Sequence, residues 1–461
     1  IKNLPFDESC KGVHATHFPC DKALACSWNT ELVGDVYAAV GEEARAVNSF
    51  AYFNCSNDVE RENLTPDHYV LSRFLAEKIS GLRRGNAYVN FEDTDAEYGD
   101  EQDLRRAVRD GVLNNASPTS VVFSDITEAE AAVKRFKYGD LVFGIASTVD
   151  EALDFLYSGA SFLFLSDDVT DALANRLTSL VEAYKQAHTR FVNDKMTESS
   201  FARLVRNFRI FDGEILDMAC DKVIDIVFSM QSAKDNPPQG FASLKKGETA
   251  GFDEINHNTL AATAARQSAV LLKNDGGLLP LKHSLKIAVM GEYAKDLSYQ
   301  RGYYSTLATA EVLPFDAINA YELNTVGFAL GYAKGERGRS DLIDHAQLLC
   351  NSADCVILYL AAPKGADRLP AEQLELLNAI AGRHAKIAAV VCCEDNIDMG
   401  FADKCDAVLL TYLAGQGGTV AALDIITGVI SPSGKLASPA GLIGAEGVIE
   451  QYPVGYGLSY T

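Results

Sequence analysis

SVVFSDITEAEAAVKRFKYGDLVFGIASTVDEALDFLYSGASFLFLSD (120–167) holds three short apolar runs separated by two stretches of helical spacing. SVVFSD (120–125), DLVFGIAS (140–147) and SFLFLSD (161–167) read as strands. Glu128–Phe136 and Val149–Tyr157 read as helices between them. Such strand–helix alternation predicts parallel strands joined by crossover helices.

The same alternation continues upstream. SFAYFNC (49–55) and NAYVNFE (86–92) read as strands, and Tyr69–Arg83 and Leu104–Leu113 as helices. Downstream come a long helix over 171–187 and a helical stretch over 197–232. That makes about five strands where a full barrel needs eight. Residues 1–233 are therefore expected to form a shortened or incomplete TIM-like (β/α) barrel.

KDNPPQGFASLKKGE (234–248) has paired prolines among polar residues and reads as a linker. HNTLAATAARQSAVLLKN (257–274) adds a helix and a connector, so 234–266 is expected to be a linker and connecting helix. Residues 267–461 form a second α/β domain. LKIAVMG (285–291), CVILYLA (355–361), IAAVVCC (387–393) and AVLLTYL (407–413) are its strands, with helices around 341–350, 371–383 and 417–428. The pattern predicts a sandwich-like, mostly parallel sheet.

A chain of 461 residues exceeds the roughly 250–300 at which single cores stop growing, which supports two domains. The net charge of −22 argues against nucleic acid and against an anionic membrane surface, since both call for Lys and Arg. No apolar stretch approaches the roughly 18 residues of a membrane helix. The ten cysteines are scattered without a Cys-x-x-Cys pair, so no metal site and no cofactor are expected. Cysteines inside apolar runs suit reduced, buried thiols and a cytoplasmic location.

Several polar groups invite chemistry. Gly415-Gln416-Gly417-Gly418 lies between a strand and a helix; it suits a phosphate cradle or, more simply, a tight turn. Glu92-Asp93-Thr94-Asp95 ends a strand, where paired carboxylates do acid–base work in barrels. The plainer reading is a helix cap or a solvated loop. Asp125 likewise suits a nucleophile or a cap for the helix that follows. The eight histidines do not cluster in sequence and read as loop or surface residues.

Longer segments carry a resemblance. These are ATHFPCDKALACSWNTELVGDVYAAVGEEARAV (15–47), QSAVLLKNDGGLLPLK (267–282), KIAVMGEYAKDLSYQ (286–300), GQGGTVAALDIITGVISPSGKL (415–436) and YPVGYGLSYT (452–461). In this order they resemble family 3 glycoside hydrolases of the β-glucosidase type. The resemblance implies a barrel-like first domain, an α/β sandwich and a retaining mechanism with an aspartate nucleophile and a glutamate acid–base.

This sequence departs from that pattern where the chemistry would lie. KYGDLVFGIAS (137–147) matches the nucleophile strand best and puts Ile145 at the aspartate's position. Isoleucine has no lone pair to form a glycosyl ester. The rival alignment of SVVFSD makes Asp125 the nucleophile but leaves the next strand of the pattern unmatched. In Lys364-Gly365-Ala366-Asp367-Arg368 a lysine stands where the resemblance implies the acid–base glutamate. A lysine donates a proton but makes a poor base for the second step. The K-H-F strand of the pattern looks like Val89-Asn90-Phe91, and its G-S-S loop like Gly302-Tyr303-Tyr304. Asp93, Asp95, Asp125, Asp367 and Arg368 remain as candidate ligand-binding residues.

The sequence therefore points to a catalytically inactive relative with a structural, regulatory or carbohydrate-binding role. Its partners would be a carbohydrate, a second copy or an active homologue, because a barrel short of strands leaves edges to cover. The alternative is an active retaining β-glycosidase with a rearranged site.

Overall fold

In a computed structural model, residues 13–47, 51–56, 64–65, 67–93, 102–135, 141–193, 196–207, 221, 224, 252–298, 304–444 and 447–460 are described. The first elements among the described residues are β1 (His14–Ala15), α1 (Asp21–Cys26) and α2 (Thr30–Val47). Then strands and helices alternate: β2 (Tyr52–Ser56), α3 (His68–Arg84), β3 (Tyr88–Asp93), α4 (Gln102–Asn115), β4 (Ser120–Phe123) and α5 (Ile126–Arg135). The alternation ends with β5 (Leu141–Ile145), α6 (Val149–Ser158), β6 (Phe162–Phe164), α7 (Asp167–Val192) and α8 (Glu198–Asn207).

The expected strands pair in chain order, β2-β3-β4-β5-β6, and every pairing is parallel. All four residues of β4 are buried, as suits a strand in the middle of a parallel sheet. At the β6 end, Phe143 stacks on Phe162 at 4.8 Å and on Phe164 at 5.5 Å between ring centres. Among the described residues this sheet is open, with β2 and β6 at its ends, and no closed barrel forms. The stretch 234–248 lies outside the described residues. So does most of 208–232, where Asp221 and Ile224 are helical.

The rest of the chain contributes α9 (Glu254–Ser268), β7 (Val270–Asn274), β8 (Lys286–Met290), β9 (Leu307–Ala308), α10 (Pro314–Ala317), β10 (Asn324–Ala329) and α11 (Ser340–Cys350). It continues with β11 (Cys355–Ala361), α12 (Ala371–Ile380), β12 (Lys386–Cys392), β13 (Ala407–Leu410), α13 (Gly418–Ile426) and the hairpin β14 (Ala440–Gly444) and β15 (Gly447–Tyr452). Six strands pair in the order β10-β8-β11-β12-β13-β7, parallel except for β7. β11 is buried throughout and β12 everywhere but Lys386, so the middle of this sheet is the core. From β8 the chain steps outward to β10 and then back across to β11. Right-handed crossovers put the two sets of helices on opposite faces. Accordingly α11 packs on α12, while α13 packs on α9 and α10.

Two of these strands were not foreseen. β10 was not read at all, because it sits at an edge with mostly half-exposed residues and a register shift between Thr325 and Gly327. β7 was absorbed into a connector; Val270, Leu271, Lys273 and Asn274 instead pair antiparallel with β13.

The compact units do not follow chain order. One contains the described residues of 1–51, 60–87 and 240–461; the other contains those of 52–59 and 88–239. The described residues of 1–51 and 60–87, expected in the first domain, thus group with the second. Within that unit α2 lies tightly against α3. A Cβ on Gly81 would sit 2.3 Å from the Gly34 carbonyl oxygen, so only glycine permits this backbone approach. Among the described residues no helix is long and apolar enough to cross a membrane.

Candidate functional site

Parallel strands carry functional groups at their C-terminal ends. In the five-stranded sheet these ends hold Asp93, the Asp125 turn and Ile145.

Asp93, the last residue of β3, is fully buried. Arg105 of α4 brings Nη1 to 3.0 Å from Asp93 Oδ1, and its Nη2 donates to both Glu128 oxygens at 2.6 and 2.7 Å. Arg109, one turn on, sets Nη1 3.0 Å from Glu128 Oε2 and 3.9 Å from Asp93 Oδ2. The i, i+4 spacing puts both guanidinia on one helix face. Glu128 sits in the first turn of α5, where the helix dipole favours a carboxylate. Two buried acids thus meet two buried bases. Arg106 adds a half-exposed contact, Nε to Glu128 Oε1 at 3.1 Å. Asp93 therefore faces guanidinium groups rather than solvent, neither a free acid–base nor a helix cap. Asp95 lies outside the described residues.

Asp125 behaves as a cap. Its Oδ1 accepts from the Glu128 backbone N–H at 3.0 Å and from the Thr127 hydroxyl. Burial pushes its pKa up, but these hydrogen bonds and Arg105 outweigh it and hold the carboxyl below its ordinary range. Ile145 ends β5 and is 39% exposed, so an aliphatic side chain faces solvent there. Asn90 is committed to its neighbours: its amide donates to Asn54 Oδ1 at 2.7 Å, and its carbonyl accepts from the Ser120 hydroxyl at 2.7 Å. The parallel register aligns these three residues across β2, β3 and β4.

In the other unit, the loop after β11 carries Lys364, Asp367 and Arg368, all exposed. Gly365 turns the chain with φ +71°. Arg368 Nε and Nη2 each lie 3.0 Å from an oxygen of Asp367. That contact holds Asp367 below and Arg368 above their usual values. The Asp367 carbonyl accepts from the Asp398 N–H at 2.7 Å.

The expectation of surface histidines fails for His17 and His257, which are 2% and 6% exposed. His17 stacks on Tyr304 with ring centres 4.0 Å apart, and its Nε2 lies 3.0 Å from the Thr306 hydroxyl. His257 of α9 places Nδ1 2.8 Å from Glu43 and Nε2 3.3 Å from Glu42, both on α2. Glu43 in turn accepts from the Thr16 N–H at 2.8 Å. The partners lie up to 289 positions away, so no local spacing signals them. One sign was available: Glu42-Glu43 directly follows the apolar run Val36–Gly41 of α2.

The glycine loop at 415–418 belongs to the same packing. A Cβ on Gly415 would stand 2.1 Å from the His17 carbonyl oxygen, and φ there is +64°. The Gln416 N–H donates to that carbonyl at 2.8 Å, while Gln416 Oε1 accepts from the His17 N–H at 3.1 Å. The turn thus clasps the ATHFP segment. Among the described residues no group of three or more His, Cys, Asp or Glu is placed to hold a metal ion.

The fold defines an α/β protein with a parallel-sheet unit and a second unit built on a six-stranded, mostly parallel sheet. Residues 269–460 match the glycosyl hydrolase family 3 C-terminal domain. The chain belongs to glycoside hydrolase family 3. It is 26% identical to thermostable beta-glucosidase B of Acetivibrio thermocellus over 92% of this chain and 57% of that protein. It is 30% identical to an exo-alpha-(1->6)-L-arabinopyranosidase of Bifidobacterium longum over 97% of this chain and 65% of that protein. The chain thus spans about six-tenths of the length of these relatives. Its fold matches the Bifidobacterium adolescentis GH3 beta-glucosidase with a TM-score of 0.68 at 22% identity, covering 97% of this chain and 72% of that one.

Proposed function

We propose that this chain is a family 3 protein that does not cleave glycosides and keeps a structural, regulatory or carbohydrate-binding role. The observation that carries the reading is Ile145. At the strand end where the resemblance implies the nucleophile, the chain presents an exposed aliphatic side chain. Other groups support it: Asp93 is locked to two arginines, Asp125 caps α5, and a lysine, Lys364, stands where the resemblance implies the acid–base glutamate. On this reading the five-stranded sheet is a barrel that has lost strands. Losing groups that act as a unit removes many powers of ten in rate.

The test is hydrolysis of nitrophenyl glycosides by the purified protein. The relatives' names set the panel: β-D-glucopyranoside and α-L-arabinopyranoside, with β-D-xylopyranoside and β-D-galactopyranoside beside them. No turnover above the blank is the expected result. Turnover that Asp125→Asn abolishes would establish the rival reading, an active retaining glycosidase with Asp125 as nucleophile.

A further inference from the structure

The end strand of a sheet presents unpaired backbone groups, and proteins blunt or cover it. β7 is bridged by Leu458, β10 carries the register shift between Thr325 and Gly327, and Phe53, Cys55 and Ser56 of β2 are buried. β6, the other end of the five-stranded sheet, has none of these devices. Among the described residues it pairs with β5 alone. Phe162 and Leu163 are half-buried and Phe164 is 53% exposed. The stretch SGASFLFLS (158–166) holds no charge and no proline. Its one safeguard is the shortness of the strand.

The large side chains beside this edge share one face. The parallel register sets Phe143 beside Phe162 and Ile145 beside Phe164. Alternation along each strand keeps all four on the same side of the sheet. Phe143 stacks on both neighbouring rings, so an aromatic ladder runs out to the edge. α6 covers the opposite face: a Cβ on Gly144 would meet the Phe155 ring at 2.5 Å, and Phe155 is buried. The ladder's own face stays open, with Ile145 and Phe164 both exposed.

Charge selects the occupant. The chain carries a net charge of −22, so two copies repel wherever their acidic surfaces meet. The 158–166 edge holds no charge to oppose such contact, and none to attract a partner of opposite sign. It offers rings and backbone groups, and a second copy brings the same, because a contact about a twofold axis is complementary to itself. Antiparallel pairing of β6 with its copy about Leu163 sets Phe162 opposite the copy's Phe164 on both sides of the axis. Aromatic pairs directly across two strands stabilise a sheet. A short strand supplies few backbone hydrogen bonds, so the rings carry most of the contact. We propose that two copies of this chain join edge to edge through β6, making one continuous sheet with its aromatic ladder unbroken across the axis. The proposal extends the structural role proposed above and stands whether or not the chain hydrolyses glycosides.

Sedimentation velocity of the full chain tests this. The native chain should sediment as a dimer at micromolar concentration and dissociate on dilution. The two copies of residue 164 are diagonal neighbours across the axis, within reach of long side chains. Phe164→Lys and Phe164→Glu therefore each bring like charges together, and each variant alone should sediment as a monomer. Phe164 is exposed, so both variants should fold, and their circular dichroism melts verify that. Mixed in equal amounts, the two should form a dimer again, because lysine then faces glutamate. A native chain that stays monomeric throughout the micromolar range would overturn the proposal. A dimer that neither substitution weakens would overturn it too, by placing the contact elsewhere. So would folded variants that remain monomeric when mixed.

Discussion

Arg105 touches Asp93 and Glu128 at once, with all three side chains almost completely removed from water. Such a network contributes little over a well-packed apolar substitute, yet removing one member leaves an uncompensated buried charge. Arg105→Met should therefore destabilise the chain by about 3–5 kcal/mol in urea unfolding. Asp125→Ala removes only a cap and should cost about 1 kcal/mol. Equal losses would mean that the network does not carry the strand end. A second residue prediction concerns pH. Burial alone would lower the His257 pKa, but Glu43 and Glu42 outweigh it and raise it. A raised folded-state value means stability that is fully present below the ordinary value of about 6.5 and fades as pH rises through the folded one. The melting-temperature gap between the native chain and His257→Gln should thus be widest in mild acid and narrow in alkali. A gap that widens with pH would contradict the assignment. Neither the arginine network nor the His257 pairing was legible in the sequence. Arg105 and Arg109 lie in a charged stretch that reads as solvated surface, and their acids arrive from other elements.

At the scale of elements, legibility followed burial. β4 and β11 are apolar throughout because both of their faces are covered, and such runs stand out in the sequence. β10 does not stand out, because an edge strand half-exposed to water keeps no clear pattern. Asp125 shows the limit for sites: a strand-end carboxylate looks alike in sequence whether it attacks a sugar or caps a helix. Only the Glu128 N–H and the Thr127 hydroxyl on its oxygen decide the matter. The 415–418 loop was legible as a turn, but its reason was not. Its glycine is required by the His17 carbonyl, 398 positions earlier. Gly415→Ala would force a methyl to 2.1 Å from that oxygen on left-handed backbone. Backbone cannot yield as a flexible side chain does, so the loss should reach at least about 3 kcal/mol, the range of severe strain and overpacking. Thermal unfolding measures it. A small loss would mean that the ATHFP segment is loosely held.

At the scale of the molecule, the question is whether one lost group or a whole site separates this chain from the family's chemistry. Ile145 is 39% exposed at a strand end, so Ile145→Asp should be tolerated within about 1 kcal/mol. Lys364 lies in an exposed loop, and Lys364→Glu should be equally mild. The double variant therefore restores both implied catalytic residue types in a chain that still folds. It should nevertheless fail to hydrolyse nitrophenyl β-D-glucopyranoside. A retaining mechanism needs its two carboxylates about 5–5.5 Å apart and a sugar held between them. The position that resembles the middle of the K-H-F strand is Asn90, whose amide is spent on Asn54 and Ser120. Residue identity without a pre-organised binding shell yields little rate. The assay is release of nitrophenol by the double variant, with circular dichroism to establish its fold. Turnover would show that only two substitutions silenced a site otherwise kept intact. A folded, inert double variant would place the loss in the sugar-binding shell as well.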